Sequence, residues 1–246
     1  MIGAVVASAA IALARPPVVL TAAPARLLVD GSARAAVRVT NSGTKSVVVV
    51  VSRAGFTLTR RGRPVIARSD VARSAAPWLT FRPGRFALGP GGSVALAVAS
   101  KLPRRAEPGD HDALMLLNAR AIRNARVAVR LRLGVVVVVR APGRVVRRLE
   151  LRGLRVARRG QGRALDLVVA NRGNITESLA RVRAVIARRG RGIATLFATS
   201  RELRPRTSGI LEFRFRRRLH GRMTARVVIP AQPGRSVLRR TYRIRL

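Results

Sequence analysis

The sequence predicts an all-β protein built from two tandem immunoglobulin-like β-sandwich domains preceded by a signal-peptide-like segment. Three observations predict the sandwiches. Apolar residues alternate with arginine or threonine over short runs, glycine, proline and asparagine turns separate the runs at regular spacing, and the whole pattern stops near Gly143 and starts again. At 246 residues the chain is long enough for two modest cores. With 48% hydrophobic but only 3% aromatic residues, those cores must be filled mainly by Val, Leu and Ala. Such residues in period-two alternation favour sheet.

Taken in order, residues 1–23 read as the leader. Ile2–Ala14 is a short apolar run ending in small residues, followed by Arg15, Pro16 and Pro17. This is the centre and cleavage region of a secretory signal without the positive segment that usually precedes it. It is too short to span a bilayer, and no later apolar stretch is long enough without an arginine.

Residues 24–140 form the expected first sandwich. Ala35, Val37 and Val39 alternate with Arg34, Arg38 and Thr40, the turn Asn41–Thr44 follows, and Val47–Val51 answers as the second strand of a hairpin. Phe56 and Leu58 extend a further strand, and Arg60–Pro64 turns the chain. Ser69–Ala76 is weakly patterned and reads as a loop or a single helical turn. Trp78, the only tryptophan, reads as a core anchor. Phe86 and Leu88, then Gly89–Gly92, then Val94, Leu96 and Val98 read as a second hairpin. Pro108–Asp110 makes a turn into Ala113–Leu117. The closing strand starts near Arg126, with Val127, Val129, Leu131 and Leu133 on one face and Arg126, Arg130 and Arg132 on the other. Val135–Val139 is apolar on both faces.

A linker at 141–143 leads to the second sandwich at 144–246. Its strands are marked by Leu149 and Leu151, by Leu165, Leu167 and Val169 before the turn Asn171–Asn174, by Leu211, Phe213 and Phe215, by Met223–Ile229, and by Tyr242, Ile244 and Leu246. Thr176–Arg189 fits a strand through Val182, Ala184 and Ile186 or a helix through Leu179, Val182 and Ile186. The surrounding β pattern decides for the strand. A partner that binds both domains is expected beside Ala141–Arg144.

Materials for chemistry are scarce. There is no cysteine, which excludes disulfides and thiolate chemistry. His111 lies between Asp110 and Asp112, but strand alternation sends it to the opposite face from both. His220 has no carboxylate near it in sequence. Gly89–Gly92 lacks the lysine and helix of a phosphate loop, and Asn174-Ile175-Thr176 matches a glycosylation acceptor by letters only. No enzymatic activity, cofactor, metal or small-molecule substrate is expected.

Charge is the strongest compositional signal. Fifty basic residues against ten acidic give +40, and Lys45 and Lys101 are the only lysines. Such a balance points to a polyanion, whether nucleic acid, anionic lipid or an anionic wall polymer, and together with the leader to an anionic cell-envelope polymer. Arg126, Arg130, Arg132, Arg144, Arg147 and Arg148 form the candidate anionic-ligand surface. Nucleic acid is the weaker version of this reading, because the arginines are spread over many strands and no aromatic cluster lies among them on which bases could stack.

The order of features resembles the WxL-interacting proteins. The first half matches through its leader, Ala35–Val39, the Asn41 turn, Trp78, Phe86–Val98, Pro108-Gly109-Asp110-His111 and the strand into Gly134. The second half matches through Asn171-Arg172-Gly173-Asn174 and Arg201–Pro205 ahead of Phe213. That resemblance implies a non-enzymatic, exported cell-surface protein whose first domain is associated with peptidoglycan and whose second binds a surface protein. It departs from the family in having no C-terminal membrane helix within this sequence. The alternative resemblance is to periplasmic pilus-assembly chaperones, which also carry two such domains and act by strand donation. The alternating Val127–Leu133 segment would suit that role.

Overall fold

A computed structural model of the protein describes residues 16–67, 73–121, 130–159, 162–215 and 219–246. The first half contains β1 (Leu20–Ala23), β2 (Arg26–Asp30), β3 (Arg34–Asn41), β4 (Val47–Leu58), β5 (Pro64–Ala67), β6 (Leu79–Arg82), β7 (Arg85–Leu88), β8 (Ser93–Ser100), β9 (Gly109–Ala121) and β10 (Arg130–Ala141). These strands form two facing sheets. One has the order β1-β3-β8-β6, and the other β2-β10-β9-β4-β5 with β7 also paired to β4. Val37, Val39, Val47, Val49, Leu96, Val98, Met115, Leu117, Val137 and Val139 fill the space between them. Trp78 closes a short 3-10 turn, Ala76–Trp78, and packs at the edge of that core.

Both hairpins expected in this half are corrected. β3 pairs with β1 and β8, whereas β4 pairs with β5, β7 and β9, so the Asn41 turn carries the chain across the sandwich. Likewise β7 belongs to the β4 sheet and β8 to the β3 sheet, so Gly89–Gly92 is also a crossing. Alternation shows which side chains go inward, and strands from either sheet satisfy it equally. Phe56 and Leu58 continue β4 rather than starting a new strand.

The leader assignment is also shortened. Residues 1–15 lie outside the described residues, but Leu20–Ala23, within the assigned leader, pairs antiparallel with β3. At Pro24 and Ala25 the chain then changes sheets, and β2 runs parallel to β10 from Val136 to Arg140.

The second half contains β11 (Leu149–Arg159), β12 (Gly162–Asn171), β13 (Glu177–Ser178), β14 (Arg183–Arg188), β15 (Arg191–Phe197), β16 (Glu202–Leu203), β17 (Ser208–Phe215), β18 (Arg222–Ile229) and β19 (Leu238–Arg245). Sheets β11-β12-β17 and β15-β14-β18-β19 enclose a second core centred on Leu165, Leu167, Ile186, Leu211, Phe213 and Val227. The ambiguous segment resolves into strands: β13, a turn in which Arg181 takes a φ of 58°, and then β14. The protein is therefore all-β, with two immunoglobulin-like sandwiches in tandem. β10 runs through Ala141 and β11 begins at Leu149, so the connection is 142–148 rather than 141–143.

One device is used twice. Asn41 ends β3 and Asn171 ends β12, and both side chains are fully buried. The Asn41 amide donates to the carbonyls of Lys45 (2.9 Å), Gly89 (3.1 Å) and Leu88 (3.3 Å), and its oxygen accepts from the Gly43 N–H. Asn171 donates to Ile175 (2.8 Å) and Leu203 (2.9 Å) and accepts from the Gly173 N–H. Each glycine admits close backbone: a Cβ at Gly43 would lie 2.6 Å from the Pro17 carbonyl oxygen, and one at Gly173 would lie 2.2 Å from that of Val146. Asn171→Ala strands these buried carbonyls and should cost about 2–4 kcal/mol in denaturant unfolding, with Asn41→Ala costing a similar amount. A change below about 0.5 kcal/mol in both would show that the amides are not what closes the sandwich ends.

Candidate functional site

Two features of the fold are available for function: an edge left open on β10 and a charged seam between the sandwiches. β9 pairs with β10 along its whole length, from Arg130↔Arg120 to Ala141↔Gly109. On the other side β2 covers only Val136–Arg140. Among the described residues, no strand pairs with that side of β10 along Arg130–Val135, which leaves ladder groups open to an added strand. Leu131 and Leu133 are half-buried against the first core and Val135 is buried, while Arg130 and Arg132 are exposed on the opposite face. Arg132 Nε donates to Asn118 Oδ1 at 2.8 Å, and Asn118 in turn donates to Ser52 Oγ at 3.0 Å. A cavity of about 670 Å³ lies here, lined by Val50, Asn118, Ala119, Arg120, Arg130, Leu131 and Arg132.

The seam uses most of the acid in the chain. Asp110, Asp112 and Asp166 are no more than 3% exposed, so each needs a fixed cation. Arg140 donates to both oxygens of Asp110 (2.7 and 3.2 Å), and the Thr176 N–H of the second sandwich donates to the same carboxylate at 2.8 Å. Arg204 crosses the seam to Asp112, donates to the Phe56 carbonyl at 2.8 Å and lies 4.5 Å from the centre of the Phe56 ring. Arg26 reaches Glu202 at 2.9 Å, and Arg206 reaches Glu107 at 2.5 Å.

The β4–β5 turn makes a second strut. Arg61 pairs with Asp166 and Glu212, each at 3.1 Å. The Arg60 carbonyl accepts from Arg201 Nη1 and the Ile210 N–H, each at 2.8 Å.

Burial raises the Asp112 carboxyl above its ordinary range, with Arg204 opposing the rise. Glu212 goes the other way. Arg159 first and Arg214 second, both bonded to it, lower its carboxyl to about 2.

The expected anionic-ligand surface does not form one patch. Arg126 lies outside the described residues. Arg130 and Arg132 sit at one end of β10. Arg144, Arg147 and Arg148 lie in the connection past its other end, some 30 Å away at about 3.3 Å per residue. Arg147 is occupied, since its guanidinium pairs with the buried Glu177 at 3.2 Å. The space beside Ala141–Arg144 is filled by backbone. A Cβ at Gly109 would lie 2.1 Å from the Asn174 carbonyl oxygen, and one at Gly143 would lie 2.7 Å from Pro108.

His111 is buried, with Nε2 2.7 Å from the Glu107 carbonyl oxygen and its ring 4.4 Å from that of Trp78. Asp110 and Asp112, on the other face of β9, meet the seam. His220 sits in a connection where its carbonyl accepts from Arg188 Nη2 at 2.6 Å. Asn174, the letter-match for glycosylation, is committed to the seam, donating to the carbonyls of Pro108 (3.1 Å) and Arg144 (2.8 Å). Among the described residues no group of three metal-ligating side chains occurs, and no helix is long and apolar enough to cross a membrane.

No family model matches the sequence, and no characterised protein matches it by sequence. The fold does align with solved structures. The class 5 fimbriae chaperone CfaA aligns over 92% of this chain and 100% of its own, at a TM-score of 0.50 and 10% identity. The chaperone–tip adhesion subunit complex CsuC–CsuE from the archaic chaperone-usher Csu pili of Acinetobacter baumannii aligns over 90% and 97%, at 0.50 and 10%. These likenesses concern fold. Both of these two-sandwich structures are of fimbrial chaperones, and neither likeness nor any sequence match supports the WxL-interacting assignment, which is withdrawn together with its cell-wall, peptidoglycan and wall-polymer partners.

The seam carries two predictions of opposite sign. Arg204→Ala leaves Asp112 buried and unpaired and should cost about 3–5 kcal/mol near neutral pH. Because the folded carboxyl then titrates above its unfolded value, the part of the loss due to Asp112 should shrink as pH falls through the folded pKa and be gone below the unfolded one, near 4, leaving only the pH-independent loss of the Phe56 contacts. Denaturation from pH 7 to 3.5 checks this, and a loss that does not change with pH would remove Asp112 as its cause. Glu212 is depressed, so its stabilising contribution is full above its unfolded value of about 4.5 and is lost as pH falls toward 2. Glu212→Gln should therefore flatten the acid limb of a thermal-stability profile between those two values.

Proposed function

We propose that the protein is a non-enzymatic assembly chaperone of the periplasmic pilus type, holding a partner subunit by lending it the open edge of β10. The observation that carries this reading is the half-covered strand. β2 ends its pairing at Val136, and the six residues before it join an inward row of Leu131, Leu133 and Val135 to ladder groups that no described strand pairs. Strand addition takes affinity from main-chain hydrogen bonds and specificity from alternate side chains, and this segment offers both. The alignments with CfaA and CsuC–CsuE support the two-sandwich frame. The seam supports the role mechanically, since ion pairs on both sides of it hold the second sandwich at a fixed angle to the strand. An exported, periplasmic location and a protein partner follow from this reading.

The test is co-expression in a bacterial periplasm with a fimbrial subunit that lacks its own final strand. The wild-type chain should co-purify with the subunit in a discrete complex. Leu131→Asp with Leu133→Asp should reduce recovery by about tenfold or more, because carboxylates then stand in the apolar row that the partner's strand must continue. Circular dichroism checks that the variant keeps its sheets. Equal recovery with the variant and the wild type, or no complex with the wild type, would refute strand lending at β10.

A further inference from the structure

We infer that the strand received by the open edge of β10 is two-faced: apolar on the side that continues the row of Leu131, Leu133 and Val135, and acidic on the side that continues the row of Arg130 and Arg132, with Arg120 one strand further along the same face. This rests on the strand-lending reading and specifies the partner's chemistry. A strand added to Arg130–Val135 continues the pleat, so its side chains alternate in step with those of β10. Its inward positions extend the first core. Its outward positions lie on the face that carries Arg130 and Arg132, and the cavity of about 670 Å³ lies on the other side of that row, over β9 and β4.

That face is electrostatically unbalanced. Arg130 stands directly opposite Arg120 across the β9–β10 ladder. Like charges placed so oppose the pairing, and no acidic side chain lines the cavity to relieve them. Asn118 takes one donor of Arg132, and Val50, 42% exposed, leaves an apolar patch beside it. Carboxylates at alternate positions of an incoming strand would neutralise the row while its other face stays apolar. The field of a +40 chain steers the same partner toward the edge and turns cationic strands away.

The experiment uses the full chain and four synthetic peptides of equal length. Three share Val and Leu at inward positions and carry Glu, Gln or Lys at outward positions. The fourth has the composition of the Glu peptide with the alternation scrambled. Binding is read by fluorescence anisotropy at low and at physiological salt. The Glu peptide should bind about tenfold tighter than the Gln peptide at low salt, the Lys peptide should bind weakest, and the gap should narrow with salt. Arg120→Gln, Arg130→Gln and Arg132→Gln together should bring the affinities for the Glu, Gln and Lys peptides to within about twofold of one another.

Equal affinity for the Glu, Gln and Lys peptides would overturn the acidic partner and leave strand lending intact. No binding by any of them would overturn both. If the scrambled peptide, or a single-stranded oligonucleotide of the same charge, competes as well as the Glu peptide, the site is a general polyanion surface and the inference fails.

Discussion

The arrangement of the two sandwiches depends on three carboxylates at the seam that water cannot reach. Asp110, Asp112 and Asp166 are buried in a chain that has only ten acidic side chains to offer. Six of those ten (Glu107, Asp110, Asp112, Asp166, Glu202 and Glu212) make an ion pair or hydrogen bond that joins the first half of the chain to the second. Burying a carboxylate is costly, and its attraction to an arginine roughly offsets that cost, so such pairs add little net stability. What they add is direction. Asp110 is satisfied only while Arg140 lies beside it on the same sheet and the Thr176 N–H arrives from the other sandwich. Any rotation at the seam leaves a buried charge without its partner, and the penalty for that rises steeply. An arginine-rich chain thus obtains a rigid angle between two domains from a handful of acids.

The sequence revealed the layers of this fold more readily than their connections. Alternation identified the inward rows of β3, β8, β12, β17 and β18, apolar runs marked β4 and β9, and the restart after Gly143 pointed to the second core. The mistaken hairpins came from the same signal. Val37 and Val47 both point inward, whichever sheet holds them, and nothing local distinguishes a turn that pairs neighbours from one that crosses the sandwich. Asn41 and Asn171 were the available clue, since an asparagine ending an apolar strand before a glycine suggests an amide with several carbonyls to satisfy. The seam was less legible. Asp110 and Asp112 stand out in sequence, but Arg204 and Thr176 lie far along the chain, and only the folded topology brings them together. Of the six arginines nominated for ligand binding, Arg130 and Arg132 sit on the open edge, whereas Arg147 is bound to Glu177. Counting charge does not separate an arginine committed to a buried acid from one that faces outward.

An unpaired strand edge is ordinarily a hazard, because it templates pairing with the next copy of the same chain. The arrangement on β10 answers that hazard without closing the edge. A second copy approaching edge to edge would bring its own Arg130 and Arg132 against the same row, and like charges across a new ladder oppose it. The exposure of Leu131 and Leu133 is limited as well, since both lean into the first core and offer only part of their surface. Self-association is therefore resisted by the outward row, and the inward row remains available to a strand whose charges are opposite. On the strand-lending proposal, one feature, arginine alternating with leucine at a half-covered edge, both opposes self-pairing and favours a partner of opposite charge.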